Sequence, residues 1–540
     1  MIVTSPSTAA FEEFRSANGL YWQQHGRAGG QRDGYVLVDL LHNNATVLLT
    51  QILIARYLAE LLRADVAAFI APTFAGNAVP VPEVCALAAS FGIREIFHVC
   101  PPTPPVPARF AEASNRPSAD GQEVRQRVLD IAIDGVPIGD LIYDSYIKLT
   151  GAATITDWDE LLEGLVAEAE KYFRCIEPIL GKDIRALVVS HPCYVDYGIP
   201  FRLALKKGIA SFCRTWLNPV TIRRYDRFEE IYQFPDTPLA PALKFFRDRL
   251  GAELFRRADL LYPPRQKSEN DLTYLRYGYG SDKRELSLAE LVHKLQIDPK
   301  RRTCLIMAHQ FSDAPHCYPD SLFDDYFQWL SETLAFVAER SDVNWLVRQH
   351  PYEVMIGDNK AFEAVTREYV GNGNVFIAHN SIATSSFFSS VDAITTVNGS
   401  AGLEFASAGI PCVLAGNPFY GELSCVQRPR TREHYFQSLA DVPRMTRLSP
   451  AQVAEAKEAA LVHLAYKRVS STRIPYTTDL AGREISARDI DEFWLEAAQR
   501  ARNAPLENDP LFVNIRRMMD QDNQTLVDFS VVDDGSASSW

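Results

Sequence analysis

Apolar positions in this chain follow two alternating rhythms, short β-branched runs and longer stretches with helical spacing. From residue 35 to 100 the pattern predicts strands at Tyr35–Leu41, Val66–Ala71 and Glu95–Val99, with helices over Ala45–Leu62 and Val81–Phe91 between them. Short, continuously apolar strands of this kind are buried on both faces, and their alternation with helices predicts a parallel sheet of βαβ units. The rhythm continues through a helix at Trp158–Tyr172, a strand at Ala186–Ser190 and a helix at Ile199–Lys207. Gly135–Asp144 is expected to be a turn leading into a strand edge. A second run of the same kind has strands at Thr303–Ala308, Asn344–Val347, Val375–Ile377, Val391–Val397 and Ile410–Leu414. Its helices are expected at Phe323–Ala338, Ala361–Tyr369, Ser381–Ser390 and Ala401–Ala408. Three further helices, Pro450–Tyr466, Ala487–Asn503 and Leu511–Gln521, close the pattern.

The fold class is therefore α/β, with two Rossmann-like domains facing a central cleft and helices at the C-terminal end. Residues 1–32 are expected to be a loosely ordered lead-in, 33–264 the first domain and 265–300 a linker with one helix at Leu288–Leu295. Residues 301–475 form the second domain, 476–525 the C-terminal helices and 526–540 a disordered tail. The proline-rich stretch 101–120 reads as a loop, residues 240–258 as an Arg-rich helix, and no repeat of 20–50 residues is present.

Composition adds constraints. A chain of 540 residues is long enough for two domains, and 47% apolar with 23% charged residues is ordinary for a globular protein. A net charge of −13 speaks against bulk nucleic-acid binding, and no nucleic-acid partner is expected. Residues 1–30 lack the basic start and apolar core of a secretory signal. The most apolar window, Thr46–Leu62, contains Arg56 and Glu60 and reads as a core helix. Nine cysteines without a CxxC, with Cys85, Cys100, Cys304 and Cys412 in apolar runs, suggest buried thiols in a reducing, cytoplasmic setting.

Candidate chemistry lies in polar loops at the carboxyl ends of strands, where open parallel sheets bind ligands. Five such loops, 42–44, 191–198, 309–316, 348–353 and 398–404, are expected to face one cleft. In the last, Gly399 and Gly402 let backbone approach a ligand, Asn398 or Ser400 caps the next helix, and an anion at that helix start is expected. Glu404, one turn in, could accept from a ribose or complement the helix dipole, and an ordinary capped βαβ turn fits the same residues equally well. No Walker lysine and no GxGxxG accompany the glycines, so ATP and NAD signatures are absent. His350-Pro351 closes a strand and points an imidazole at the same turn. His309, Asp313 and His316 lack metal-ligand spacing, no HExxH is present, and no metal is expected. The absence of GxSxG disfavours a serine nucleophile.

The segments WLVRQHPYE, from Trp345 to Glu353, and TTVNGSAGLEFASAGIPCVLAGNPFYGE, from Thr395 to Glu422, resemble GT-B glycosyltransferases of bacterial capsule and surface-polysaccharide biosynthesis. The resemblance is closest to capsule β-Kdo transferases and bacterial polysialyltransferases, which use CMP-activated acidic sugars. It covers mainly residues 303–425 and is more general over 35–260. It implies that His350 and Pro351 form the HP motif and that Ser400, with Gly399 and Gly402, forms the serine motif, both binding the nucleotide, with Asn398 and Glu404 beside them. The implied reaction moves a sugar from a nucleotide-activated donor, CMP-Kdo or another CMP-sugar among them, to a glycan or lipid-linked acceptor. No metal and no cofactor beyond the nucleotide-sugar donor is implied. The place of action would be the cytoplasm, with peripheral association at the inner membrane or a polysaccharide assembly complex within its scope. The polysialyltransferases carry an acidic pair followed by glycine as general base, and Asp134-Gly135 is only half of that pattern. Asp196 and Asp144 are the carboxylates expected to take the role, with His42 or His309 next in line, although Asp196 could equally cap the helix at Ile199. A GT-B-fold sugar-nucleotide epimerase, which needs a set of carboxylates in the cleft, and a non-catalytic carbohydrate-binding or assembly protein are the alternatives.

Overall fold

The computed structural model describes residues 9–25, 33–71, 73–74, 79–99, 119–216, 218–266, 283–351, 353, 360–371, 373–475, 487–503 and 505–533. The apolar runs of the first half become β1 Tyr35–Asp39, β2 Asp65–Ile70, β3 Glu95–His98, β4 Ile184–Val189, β5 Ser211–Thr215 and β6 Thr221–Tyr225. They form one sheet in the order β3-β2-β1-β4-β5-β6, parallel except for the antiparallel pair β5–β6. The second half contributes β7 Arg302–Met307, β8 Val343–Arg348, β9 Val375–Ile377, β10 Ala393–Thr396 and β11 Cys412–Leu414. These pair in the order β9-β8-β7-β10-β11, all parallel. Both sheets thus begin on a central strand, run outward, and restart on its other side. Each has a switch point, between β1 and β4 and between β7 and β10. Two Rossmann-like sheets with these orders make the two-domain architecture that the hydrophobic pattern predicts and that the resemblance identifies as GT-B.

Each sheet is covered on both faces. Val36 and Val38 belong to one core cluster of the first sheet and Leu37 to another, because successive side chains of a strand point to opposite faces. The helix Ala45–Leu62 is buried from Ala45 to Glu60, which explains an apolar surface all round. It is the one described helix long and apolar enough to cross a membrane, and here it is a core helix with 89% of its apolar window buried. Its Arg56 is paired with Glu60 at 2.9 Å, both buried.

Several expectations shift. The lead-in contains a packed helix: Ala9–His25 places Phe11 and Phe14 on Trp494 of helix Ala487–Asn503, with ring centroids 4.7 and 5.1 Å apart. The C-terminal helices therefore complete the first half. Chain returning from the second half runs beside Val220, where Val469 pairs with it, and Thr525 bridges Arg223 of β6. This covers the exposed edge of the first sheet. Helix Ala240–Leu250, placed in the first domain by sequence, sends Leu243 and Phe246 into the core of the second sheet. The seam between halves thus falls before residue 240 on the way out and near 467–474 on the way back. Gly135–Asp144 is not a strand edge. A two-residue hairpin, Ala132–Ile133 with Val136–Pro137, leads into helix Gly139–Thr150, which puts Asp144 in mid-helix. The linker helix Leu288–Leu295 is present, held by a Ser287–Glu290 capping box. Of the expected loop 101–120 and disordered tail 526–540, residues 101–118 and 534–540 lie outside the described residues; a helix opens at Ala119, and the tail is ordered over 526–533, with Leu526, Val527, Phe529 and Val531 buried in the cores because they are apolar. Cys175 is disulfide-bonded, a departure from free thiols throughout, whereas Cys85, Cys304 and Cys412 are free and Cys100 is outside the described residues.

The two halves are pinned by buried polar contacts on one side of the cleft. Asp144 meets His316 Nδ1 at 2.6 Å. Tyr143 Oη donates to Asp325 at 2.5 Å, and Arg125 reaches Asp324 at 3.0 Å. Asp325 also caps helix Tyr326–Ala338 by accepting from the Gln328 N–H. Burial alone would push His316 down, but the Asp144 charge and hydrogen bond outweigh it and raise the imidazole to about 9. Burial pushes Asp144 up, against the pull of His316. The 2.6 Å contact favours the imidazolium–carboxylate pair. An imidazole whose folded pKa exceeds its free value of 6.5 stabilises most below that value, and the benefit fades as pH rises through about 9. Urea titrations of wild type and His316→Gln at several pH values should show a stability difference of up to about 3 kcal/mol near neutrality. That difference should shrink steadily towards pH ~10. A difference that grows with pH would contradict the charged pair.

Candidate functional site

All five polar loops come together. A cavity of about 840 Å³ lies between the halves, in the range of about 300–1,000 Å³ typical of ligand clefts. From the first half it is lined by His42 after β1, and by His191 and Tyr194 after β4. The second half contributes His309 and Asp313 after β7, His350 and Pro351 after β8, and Asn398, Gly399, Ser400 and Glu404 after β10. The loops beside both switch points thus face one another across the cavity.

Each switch point is held by a side chain that replaces a ladder hydrogen bond. In the first sheet Asp39 Oδ2, at the end of β1, accepts the Ser190 N–H at 2.9 Å. In the second, His309 Nε2, just past β7, accepts the Asn398 N–H at 3.0 Å. This bond leaves the His309 proton on Nδ1. The His309 ring stacks on Tyr326 with centroids 4.3 Å apart, and burial holds its pKa at about 3. Asp39 is pushed up to about 7 by burial, against the Ser190 hydrogen bond and the Arg214 charge.

Four of the five described histidines on the wall have pKa values lowered below the usual imidazole range and are uncharged at neutral pH. His191 is lowered to about 3 and His42 well below its usual value, both chiefly by burial. His42 Nε2 lies 3.1 Å from the Tyr197 hydroxyl, and its ring stacks on that of Tyr197. His350 is lowered by burial, while the Asp313 charge pulls it back up. Of these, His350 is the one that a charge already pulls back up, so it is the imidazole most readily raised by an anion beside it.

The 398–404 turn differs from expectation in two respects. Ser400 does not cap the helix: it sits at φ −58°, makes no capping bond, and donates from Oγ to Glu404 at 3.1 Å. Helix Ala401–Ser407 is close to the expected Ala401–Ala408, and its seven residues, about two turns, make only a small dipole. Gly402 faces away from the cavity. A Cβ there would fall 2.2 Å from the Tyr420 hydroxyl and 3.0 Å from Cys412 Sγ. Its glycine serves close packing, and the Tyr420 hydroxyl, which donates to the Gly399 carbonyl, holds the turn from behind. Gly399 does line the cavity, with Thr396 and His309 crowding its position.

Neither expected base reaches the cavity. Asp196 is 1% exposed and accepts the Phe74 N–H at 2.6 Å. It lies in the first turn of helix Tyr194–Lys206, which starts five residues before the predicted Ile199. Asp144 is 1% exposed and engaged with His316. Among the described residues, the carboxylates lining the cavity are Asp313 and Glu404. Sequence reading also missed Lys148, Trp216, His463 and Arg468 on the wall, which lie in segments without a strand-end signature. Three of the lining residues, Tyr194, Trp216 and Ala314, hold left-handed backbone at φ 62°, 64° and 43°. Such strain tends to collect at functional sites. Among the described residues no group of three or more His, Cys, Asp or Glu side chains is placed to hold a metal ion.

Comparison with known proteins bears out the resemblance read from the two motifs. Residues 271–463, which include all of the second sheet, match the family described as capsule polysaccharide biosynthesis protein. No curated protein matches the chain. Among solved structures, the Thermosulfurimonas dismutans KpsC beta Kdo 2,4 transferase is 14% identical, over 58% of this chain and 88% of that one, with a TM-score of 0.32. The beta Kdo 2,7 transferase of KpsC from the same organism is 13% identical over 63% and 90%, also at 0.32. The UDP-GlcNAc 2-epimerase from Neisseria meningitidis is 10% identical over 80% and 99%, at 0.22. These scores are too low to bear on function. The family match thus bears on residues 271–463, and the two parallel sheets give the two-domain Rossmann-like fold.

The packing role of Gly402 has a direct test. Gly402→Ala should destabilise the protein by about 1–3 kcal/mol through overpacking against Tyr420. Adding Tyr420→Phe, which removes the nearest atom, should recover part of that loss in denaturant titrations. Additive losses in the double variant would contradict the assignment.

Proposed function

We propose that this chain, whose residues 271–463 carry the capsule polysaccharide biosynthesis match, transfers a sugar from a nucleotide-activated donor to a glycan or lipid-linked acceptor. The observation that carries the reading is the single cavity between two switch points, with His350 and the 398–404 turn on one wall and His42, His191 and Tyr194 on the other. The second half takes the nucleotide, because its wall carries the HP and serine motifs of the resemblance. A CMP-sugar such as CMP-Kdo is the donor that those motifs favour. The first half takes the acceptor.

His350 is neutral before the donor arrives, since burial lowers it. A donor phosphate beside it favours the protonated ring, which then offsets the negative charge that grows on the leaving phosphate. Ser400 and Glu404 are exposed enough to meet the nucleotide, and the Asn398 backbone is fixed by His309 before any ligand binds. The reaction is read as independent of metal, with imidazole and hydrogen-bond donors in that role. Acceptors on a membrane or within an assembly complex fit the same reading. An epimerase would call for a set of carboxylates around the sugar, whereas the described wall holds two, both from the second half.

His350→Ala should lower transfer by about 10²-fold or more while the fold is retained, as for loss of one preorganised donor. Turnover of the sugar nucleotide, with circular dichroism as the folding control, measures both. A folded variant with near-normal turnover would remove His350 from the site.

A further inference from the structure

With Asp144 and Asp196 out of reach, the transfer reaction lacks a group to take the acceptor proton. That group must face the cavity, lie where acceptor and donor meet, and accept a proton at neutral pH. The imidazoles fit poorly: burial holds His191 and His309 at about 3 and pushes His42 well down. Of the two carboxylates on the wall, Glu404 receives the Ser400 hydroxyl within the donor-side turn. Asp313 is placed differently. It belongs to the second half, in the loop after β7, yet its polar neighbours come from the first half. Lys148 Nζ lies 3.8 Å from its Oδ1 and the Tyr194 hydroxyl 3.5 Å from the same oxygen. On the donor side its charge is near enough to raise His350. Its side chain is 62% exposed, so an incoming hydroxyl can reach it. The backbone on both sides is set for this position. Ala314, next in the chain, and Tyr194, across the gap, both hold left-handed conformations that cost energy in non-glycine residues.

We propose that Asp313 is the general base of the transfer, held at the meeting point of the two halves by Lys148 and Tyr194. This rests on the transferase reading. The acceptor hydroxyl proton passes to the Asp313 carboxylate as the hydroxyl oxygen forms the new bond to the anomeric carbon. The bond from that carbon to the phosphate oxygen breaks, and its electron pair leaves on the nucleotide phosphate, beside His350. Proton, bond and leaving group balance without a further reactant.

The test separates the base from the reading beneath it. Thermal shift with CMP, UDP and GDP first identifies the nucleotide that stabilises the wild type. Release of that nucleotide from its sugar conjugate (CMP-Kdo, UDP-N-acetylglucosamine or GDP-mannose) is then followed, with water and with added capsular glycan as acceptors. Asp313→Asn should cut turnover by about 10²-fold or more, while nucleotide affinity stays within about threefold. Asp313→Glu should keep more activity than Asp313→Asn. A folded Asp313→Asn that turns over within about threefold of wild type, or one that loses nucleotide affinity, overturns the base assignment alone. A wild type that binds none of the three nucleotides, or binds one and never releases it from its conjugate, overturns the transferase reading and the base with it.

Discussion

At the switch point of an open parallel sheet, neighbouring strands send their chains to opposite faces and the backbone ladder stops. The crevice this leaves is useful only if its walls stay fixed. Here both crevices are fixed in the same way, by one side chain at or just past the end of the first central strand accepting a backbone N–H just past the strand beside it. Asp39 takes the Ser190 N–H and His309 takes the Asn398 N–H. A buried, unpaired N–H would cost about 1–3 kcal/mol. Each bond therefore also decides where the next residues go, His191 in one sheet and Gly399 and Ser400 in the other. The cavity walls follow from these two bonds.

The relation between the walls depends on a second set of contacts. Asp144–His316, Tyr143–Asp325 and Arg125–Asp324 join helix and loop across the seam. Pairs like these often add little net stability, but losing one partner is costly, so they favour one arrangement of the halves over others. The returning chain at Val469 and the helices beyond it close the first half from the other side. A cavity enclosed in this way depresses its imidazoles. Under the proposed function, His350 waits neutral and gains its charge only beside a donor phosphate.

Much of this was legible in the sequence. Continuous apolar runs marked the central strands, and helix Ala45–Leu62 was read to its ends, because burial on every side leaves an unbroken apolar signal. The five ligand-facing loops followed from strand ends alone. The errors have physical causes. GVPIGDLIYD alternates like a strand, yet its glycine sits against the Val128 carbonyl and the run coils into a helix, hiding Asp144. The polar loop after β4 is mostly the first turn of a helix, with Pro200 inside it, so Asp196 points into the core. Gly402 looked like a ligand contact because a glycine needed for packing and one needed for access read alike. β5 and β6 carry arginines that mask the strand pattern, and the docking of helix Ala9–His25 depends on residues nearly five hundred positions away. Asp313 was seen only as part of an unsuitable metal spacing. Its place between Lys148 and Tyr194 exists only in three dimensions.

The central proposal is that the neutral His350 takes up a proton together with a nucleotide phosphate. Calorimetric titration of CMP at pH ~7, repeated in buffers of different ionisation enthalpy, reads that proton count directly. Binding accompanied by net proton uptake, reduced in His350→Ala, is the predicted result. Heat that is independent of buffer, or no binding at all, would contradict it.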